Sequence, residues 1–221
     1  MKLVLVDVDH TLLSANSATG WIKAELKSGY VSIASFLEAV VWLARYRLGD
    51  ARIEDAIRKS VTTLSGTYEA DLIRRCETFN RDWVLPRVRT GAKNTIEAHK
   101  RAGDHICLLT SSTNYVAEAL ADSLELDGVL CNRFEVDDDG RFTGVALEPL
   151  CFGSGKLSLA RAYADEHGLS IEDAVYYTDS YSDLPVLEAV GEPIIVHPDP
   201  RLAAVAGRRG WKRIDWGSST A

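Results

Sequence analysis

The sequence of 221 residues predicts an α/β protein, in which a parallel β-sheet is flanked by helices. Two observations lead to this prediction. Short apolar runs alternate with longer helical stretches, which is typical of a parallel sheet. The first of these runs, Lys2–Val6, is nearly all apolar and stops at acidic residues, as a central strand covered on both faces does.

The remaining elements follow in order along the chain. The other strands of the sheet are predicted at His105–Leu109, Gly128–Cys131, Ala174–Tyr177 and Pro193–Val196. The helices between and after the strands are predicted at Arg89–Arg101, Asn114–Leu124, Lys156–His167, Ser182–Val190 and Pro200–Arg209. This order indicates a Rossmann-like sheet.

Two segments interrupt the alternation. Between Ser14 and Arg87 only helical patterns occur, and one of them places apolar residues from Ile33 to Leu48 on a single face. We therefore predict an all-helical cap domain over residues 14–87, inserted into a core domain of residues 1–13 and 88–221. The second interruption consists of two extended arms around an Asp-Gly turn, which predicts a β-hairpin at 134–145.

Composition excludes several classes of protein. A formal net charge of −7 argues against a nucleic-acid partner, because binding to a phosphate backbone requires a basic face. No apolar run reaches the length of a membrane span. The four cysteines form no C-x-x-C pair and are expected to be buried reduced thiols, which fits a cytoplasmic location: Cys76, Cys107, Cys131 and Cys151.

Acidic and hydroxyl residues follow three of the predicted strands. Asp7 and Asp9 follow the first strand, Thr110 follows the second, and Asp179 and Asp183 follow the fourth. Ligands of open parallel sheets bind outside the carboxyl ends of the strands. The sequence therefore predicts that these residues meet at one edge of the sheet.

The residue types at this edge suit phosphate chemistry. Asp7 is a candidate nucleophile toward phosphorus, and Asp9, on the same side of an extended chain, is a candidate general acid and base. The hydroxyl of Thr110 and the amide of Ser111 are candidate phosphate donors, and Lys156, at the start of a helix, is a candidate cation. Taken singly, the pair Asp7 and Asp9 is equally compatible with a plain strand end, whereas the segment at Thr110 is more typical of a helix cap and a lone lysine is usually solvated.

The carboxylates also suit a metal ion. Asp7, Asp179 and Asp183 provide hard oxygen ligands of the kind that Mg²⁺ prefers. Asp179 on its own is equally compatible with a helix cap.

Together these motifs resemble the haloacid dehalogenase-like hydrolases, and within them the branch of phosphoserine phosphatases and related small-molecule phosphatases with a helical cap. The residues that match the four family motifs in order are Asp7, Asp9 and Thr11, then Thr110, then Lys156, then Asp179 and Asp183. The resemblance implies a Mg²⁺-dependent phosphatase that forms an aspartyl-phosphate on Asp7, with Asp9 as the acid and base. It also implies that Asp7, Asp179 and the carbonyl of Asp9 bind the metal, with Asp183 in support.

The substrate stays open, because the chain departs from this pattern. Phosphoserine phosphatases carry a Glu nine residues after the nucleophile, where this chain has Asn16, and Thr178 and Ser180 flank Asp179 in place of two glycines. Phosphoserine, histidinol phosphate and other small phosphorylated metabolites are therefore all possible substrates. Candidates for substrate contacts in the cap are Arg45, Arg47 and Arg52, and Trp42 with Tyr46 forms an aromatic stripe suited to packing, a pocket or a dimer.

Three functions are compatible with these residues. The first is hydrolysis of a phosphomonoester, and the second is transfer of the phosphoryl group to another acceptor by a phosphotransferase or mutase. The third is non-catalytic binding of a phosphorylated metabolite, against which the retained nucleophile and acid argue. The sequence is compatible with either a monomer or a homodimer.

Overall fold

The computed structural model describes residues 1–30 and 53–217 of the chain. Its centre is a sheet of six strands in the order β3-β2-β1-β6-β7-β8. These strands are β1 (Leu3–Val6), β2 (His105–Thr113), β3 (Gly128–Asn132), β6 (Val175–Thr178), β7 (Glu192–Val196) and β8 (Lys212–Ile214). Every neighbouring pair is parallel, which confirms the predicted fold class.

Helices cover both faces of this sheet. Numbered along the described residues, they are α1 (Ser17–Lys27), α2 (Ile53–Thr62), α3 (Glu69–Phe79), α4 (Thr90–Ala102), α5 (Asn114–Leu124), α6 (Ser154–Glu166), α7 (Leu184–Leu187) and α8 (Pro200–Arg209). Leu3 and Leu5 pack on one face of β1, and Val4 and Val6 pack on the other, in two separate buried clusters. The first strand is thus buried on both faces, as predicted from its apolar run.

Three elements differ from the sequence-based predictions. β2 is longer than predicted and continues to Thr113. The predicted helix Ser182–Val190 is a 3₁₀ turn, Tyr181–Asp183, followed by the four-residue α7, because Pro185 has no N–H with which to continue the preceding turn. β8 was not predicted, since two of its three residues are charged and exposed, as edge strands often are.

The helical segment and the β-hairpin, which interrupt the alternation of strands and helices, contact each other. β4 (Phe134–Val136) and β5 (Phe142–Ala146) form the predicted hairpin. The amide of Gly66 donates to the Phe142 carbonyl at 2.8 Å, and the hydroxyl of Tyr115 on α5 donates to Glu69 on α3 at 2.8 Å. The segment around α2 and α3 is therefore attached to both the hairpin and the core helices.

The described part of the segment 14–87 is helical and contains no strand beyond isolated bridges at its ends and at Tyr68. The apolar face at 33–48 and the residues Trp42, Arg45, Tyr46, Arg47 and Arg52 lie outside the described residues. The division into a cap and a core domain stays a prediction.

All four cysteines are free and buried, as predicted. Among the helices within 1–30 and 53–217, none has the length and apolar character needed to cross a membrane.

Candidate active site

The predicted site residues lie where the order of strands reverses. Within the sheet, β2 and β3 lie on one side of β1, and β6, β7 and β8 lie on its other side. Val6 pairs with Tyr177, and the amide of Asp7 donates to the Tyr177 carbonyl at 2.9 Å. Asp7 and Asp179 therefore follow adjacent strand ends, where open α/β sheets bind their ligands.

A wide turn after β1 separates the two carboxylates of the first motif. The amide of Leu12 donates to the Asp7 carbonyl at 3.2 Å, and the amide of Leu13 donates to the Val8 carbonyl at 2.9 Å. Inside this turn Asp9 is extended, and His10 is left-handed with φ 59°. The turn places the side chains of Asp7 and Asp9 in different surroundings.

Lys156 lies against Asp7. Its ammonium donates to Asp7 Oδ1 at 2.8 Å, to Asp183 Oδ2 at 2.9 Å and to the hydroxyl of Tyr176 at 3.1 Å. Each of its three protons therefore has an acceptor. Burial disfavours the charge, but Asp183 and Asp7 outweigh burial and hold the pKa of Lys156 well above its ordinary value.

The position of Lys156 depends on the glycine before it. A Cβ atom on Gly155 would lie 2.0 Å from the carbonyl oxygen of Leu150, so that no other residue fits there without moving the backbone. Gly153 has φ 52° at the start of α6. These two glycines allow α6 to begin close to the sheet, with Lys156 in its first turn.

Asp183 is fully buried behind Lys156. Its Oδ2 atom also accepts from the hydroxyls of Tyr176 at 2.7 Å and Thr178 at 2.6 Å, whereas its Oδ1 atom has no hydrogen-bond partner among the described residues. Tyr176 was not among the predicted site residues, and Thr178 was named only as a departure from the family pattern. The available signal was a run of three hydroxyl side chains in this four-residue strand, Val175–Thr178.

Asp179 adds a further carboxyl group to the site. Its Oδ1 atom accepts from the hydroxyl of Thr11 at 3.1 Å. Burial, reinforced by Asp7 and Asp183, raises the pKa of Asp179 to about 8. Burial likewise raises the pKa of Asp7 to about 7, although Lys156 acts in the opposite direction. Asp7, Asp179 and Asp183 are thus three carboxyl groups that act on one another, and Lys156 donates to two of them, Asp7 and Asp183.

The site fits a small divalent cation with few protein ligands. Within 1–30 and 53–217, no three His, Cys, Asp or Glu side chains are grouped to hold a metal ion. Mg²⁺ does not require such a group, since it is commonly held by one or two carboxylates, waters and substrate phosphate. The hard oxygens of Asp7 and Asp179 and the Asp183 Oδ1 atom, unpartnered among the described residues, favour such an ion. A cation beside Asp7 and Asp179 would also offset the burial that raises the pKa of both carboxyls.

The carboxylate of Asp9 is held at the start of α1. Its Oδ1 atom accepts from the Ser17 amide at 2.7 Å, and its Oδ2 atom accepts from Asn16 Nδ2 at 3.1 Å. Burial raises the pKa of Asp9, and the hydrogen bonds from Ser17 partly offset this increase. Both oxygens of the Asp9 carboxylate thus accept hydrogen bonds from the start of α1.

Thr110 lies inside β2, so the prediction that it follows the strand is wrong. Leu108 pairs with Val6, which places Thr110 beside the turn that carries Asp7 and Asp9. The Thr110 hydroxyl accepts from the Ser112 amide at 3.1 Å. The hydroxyl of Ser112 lies 3.3 Å from that of Ser17, and this contact joins the end of β2 to the start of α1.

Ser111 is held through its main chain. Its carbonyl accepts from Asn132 Nδ2 at 2.7 Å, and Asn132 Oδ1 accepts from the Cys151 amide at 2.8 Å. The buried side chain of Asn132 thereby links the end of β2 to the loop that leads to Lys156. Asn132 was not among the predicted site residues, because its signal in the sequence was only an amide at the end of an apolar strand.

We expect Tyr176→Phe to lower the free energy of unfolding by about 1.5–3 kcal/mol, because the hydroxyl bonds two charged groups. Urea unfolding of the purified variant measures this loss. Tyr177→Phe is the matched control. Within the described part of the chain its hydroxyl bonds only His99 Nε2, at 2.9 Å, and its removal should cost about 0.5–1.5 kcal/mol. Equal losses in the two variants would contradict the stronger role of Tyr176.

Comparison with known proteins adds three findings. The sequence profile of the haloacid dehalogenase-like hydrolases matches residues 4–188. A phosphoserine phosphatase of Mycobacterium tuberculosis is 29% identical over 214 residues, which cover 95% of this chain and 69% of the relative. A histidinol-phosphatase of Neisseria meningitidis is 24% identical over 219 residues, which cover 97% of this chain and 99% of the relative.

A similar fold occurs in a solved structure that is described as a phospho-aspartyl intermediate analogue of phosphoserine phosphatase. The two chains superpose with a TM-score of 0.72 at 20% identity, over 99% of this chain and 94% of that one. At this level of identity, the similarity establishes the fold.

Proposed function

The chain belongs to the haloacid dehalogenase-like hydrolase family and is a phosphatase; from this premise we propose that it hydrolyses a small phosphomonoester through an aspartyl-phosphate on Asp7. One observation above all supports this proposal. Asp7 lies at the reversal point of the sheet, 2.8 Å from a buried ammonium, while Asp9 is held apart in its own hydrogen-bonded setting. Two carboxylates in different environments suit two different roles.

Asp7 carries out the first step. A carboxylate oxygen of Asp7 attacks phosphorus, the bond from phosphorus to the ester oxygen breaks, and Asp9 donates a proton to the departing oxygen. In the second step Asp9 takes a proton from water, and the resulting hydroxide attacks the aspartyl-phosphate. Phosphate leaves and the carboxylate of Asp7 is regenerated.

Lys156 and the end of β2 act on the phosphate oxygens. The ammonium of Lys156 donates all three of its protons to protein acceptors, so it acts first through its charge. A direct hydrogen bond to a phosphate oxygen requires one of these protons to be released from its present acceptor. The hydroxyl of Thr110 and the amide of Ser111 are the proposed neutral donors to the phosphate.

Mg²⁺ is the proposed cofactor, and Asp7, Asp179 and the main-chain carbonyl of Asp9 are its proposed ligands. When bound, the ion would hold Asp7 in its ionised form and neutralise part of the negative charge of the phosphate. Asp183 supports the site indirectly by fixing Lys156.

The names of the two relatives suggest a substrate class. Phosphoserine and histidinol phosphate are both alkyl phosphates with an ammonium group on the second carbon from the ester oxygen. Asn16 is uncharged and therefore provides no carboxylate for that ammonium. We propose a small alkyl phosphate as the substrate and leave both compounds among the candidates.

A substrate panel tests the proposed function directly. The purified protein is assayed for release of free phosphate from p-nitrophenyl phosphate and from a set of phosphorylated metabolites that includes phosphoserine and histidinol phosphate. Formation of a phosphorylated acceptor is measured in parallel. Release of phosphate from at least one compound is the expected result, whereas transfer without release, or binding without turnover, contradicts hydrolysis.

Removal of Mg²⁺ is expected to abolish activity and to lower stability. After treatment with EDTA, turnover of p-nitrophenyl phosphate should disappear and should return when Mg²⁺ is added in excess. Because the ion binds the folded state, a concentration 100 times its dissociation constant should raise the free energy of unfolding by about 2.7 kcal/mol. Asp179→Asn should reduce this gain in a thermal-unfolding assay. A gain of unchanged size would remove Asp179 from the proposed ligands.

A further inference from the structure

The side chain of Asn16 has two roles at the start of α1. Asn16 is the N-cap residue of the helix, and its Oδ1 atom accepts from the Thr19 amide at 2.8 Å and from the Thr19 hydroxyl at 2.9 Å. Its Nδ2 atom donates to Asp9 Oδ2 at 3.1 Å. The Thr19 amide can only donate and a carboxylate accepts, so the orientation of the Asn16 amide is fixed by its partners.

Both carboxylate oxygens of Asp9 thereby accept hydrogen bonds from the start of α1. The Ser17 amide donates to Asp9 Oδ1 at 2.7 Å, opposite the contact from Asn16. Ser17 is itself buried, with 2% of its surface exposed, and its hydroxyl contacts Ser112. The start of α1 is thus fixed to the end of β2, and the carboxylate of Asp9 is fixed to the start of α1.

Asparagine suits this position for a specific reason. Asp, Ser and Thr also cap helices, because each offers an oxygen to the first amides. Only Asn combines, on a short planar side chain, an acceptor for the helix with an N–H donor for a neighbouring carboxylate. A second carboxylate at this point would face Asp9 Oδ2, and a serine hydroxyl is a single atom that cannot reach both partners.

We propose that Asn16 is a positioning residue for proton transfer, which orients the carboxylate of Asp9 toward the departing oxygen of the substrate. This inference rests on the proposed function, in which Asp9 is the acid. Since the oxygen of Asn16 is used within the helix and its nitrogen is used on Asp9, Asn16 acts on the substrate through Asp9. It does not recognise a substrate ammonium.

The dependence of rate on the leaving group distinguishes positioning from a structural role. A series of substituted phenyl phosphates, from p-nitrophenyl phosphate to esters of more basic phenols, changes the need for a proton at the departing oxygen. A well-placed acid makes kcat/KM nearly independent of the basicity of the phenol. When proton donation is impaired, kcat/KM falls more steeply as the phenol becomes more basic.

Asn16→Ser and Asn16→Asp are matched variants, because both residues can cap α1. We expect each variant to lower kcat/KM for the most basic phenol by roughly 10-fold or more, with less than about a 2-fold change for p-nitrophenyl phosphate. Asn16→Asp should show the larger effect, because its carboxylate repels that of Asp9. Asp9→Asn removes the acid and should show the steepest dependence of kcat/KM on the basicity of the phenol. Its kcat/KM for the basic phenols should fall by roughly 100-fold or more.

Different outcomes overturn different parts of the scheme. If both Asn16 variants lower kcat/KM equally for all phenols, or leave it unchanged, Asn16 does not position the acid. If Asp9→Asn retains the slope of the parent protein, Asp9 is not the acid and the proposed function fails at that residue. Thermal unfolding of all variants verifies that α1 remains capped.

Discussion

Asp7→Asn is expected to lower kcat for phosphomonoesters by on the order of 10⁴-fold or more, because the amide cannot attack phosphorus. The substitution keeps the size of the side chain and an oxygen that accepts from Lys156. It should not unfold the protein. Burial raises the pKa of Asp7 to about 7, above its unfolded value of 3.8, so that ionising this carboxylate opposes folding as the pH rises through that range. Without metal at pH 8, the variant should therefore be at least as stable as the parent.

Two measurements test this expectation. In the first, acid-quenched samples of the parent protein with labelled substrate should contain a phosphorylated carboxylate that hydroxylamine releases, and Asp7→Asn samples should not. In the second, steady-state turnover is compared with that of Asp104→Asn. Asp104 precedes β2, at the opposite end of that strand from Thr110, and its carboxylate contacts His99 Nδ1 at 2.9 Å. This control should retain turnover within about 2-fold, because its partners, His99 and the Lys2 amide, lie at the end of the sheet that is remote from the site. Substantial turnover by Asp7→Asn would show that another group attacks phosphorus.

Much of the fold could be predicted because its strands and helices have strong local signals. β1 is apolar on both faces, and α5 and α8 have the predicted bounds, Asn114–Leu124 and Pro200–Arg209. The sequence was least informative for elements whose secondary structure depends on pairing with a neighbouring strand. β8 has charged, exposed residues and is a strand only because β7 pairs with it, and the extension of β2 to Thr113 depends on its pairing with Asn132 of β3.

The sequence predicts which residues form the candidate site better than it predicts the contacts that they make. Strand order along the chain was enough to predict that Asp7 and Asp179 lie at one edge of the sheet. Sequence spacing does not reveal rotamers or hydrogen-bond partners, so it did not indicate that Asp9 faces Asn16 or that Tyr176 contacts Lys156. These contacts depend on the turn at His10 and on the close approach of α6, which are features of the folded chain.

Lys156→Met is expected to reduce the free energy of unfolding by about 3–5 kcal/mol, in addition to removing most of the phosphatase activity. Methionine has a similar length but no charge, so Asp7 and Asp183 are left buried without a cation. The side chain of Asp183 is completely inaccessible to solvent, and water cannot replace the ammonium there. Because buried carboxylates avoid ionisation, we expect the loss to be smaller at pH 5 than at pH 8. Urea unfolding at the two pH values, without added metal, measures both quantities.

Lys100→Met is the matched surface control for this substitution. Lys100 also lies near two carboxylates, Glu97 at 3.2 Å and Glu125 at 3.3 Å, but these acids are 61% and 86% exposed. Removing such exposed pairs should cost at most about 1 kcal/mol. Adding Asp183→Asn to Lys156→Met should recover part of the lost stability, since the amide removes the unpaired charge and still accepts from Tyr176 and Thr178. If the double variant is no more stable than Lys156→Met, the lysine stabilises the fold by packing and not by compensating Asp183.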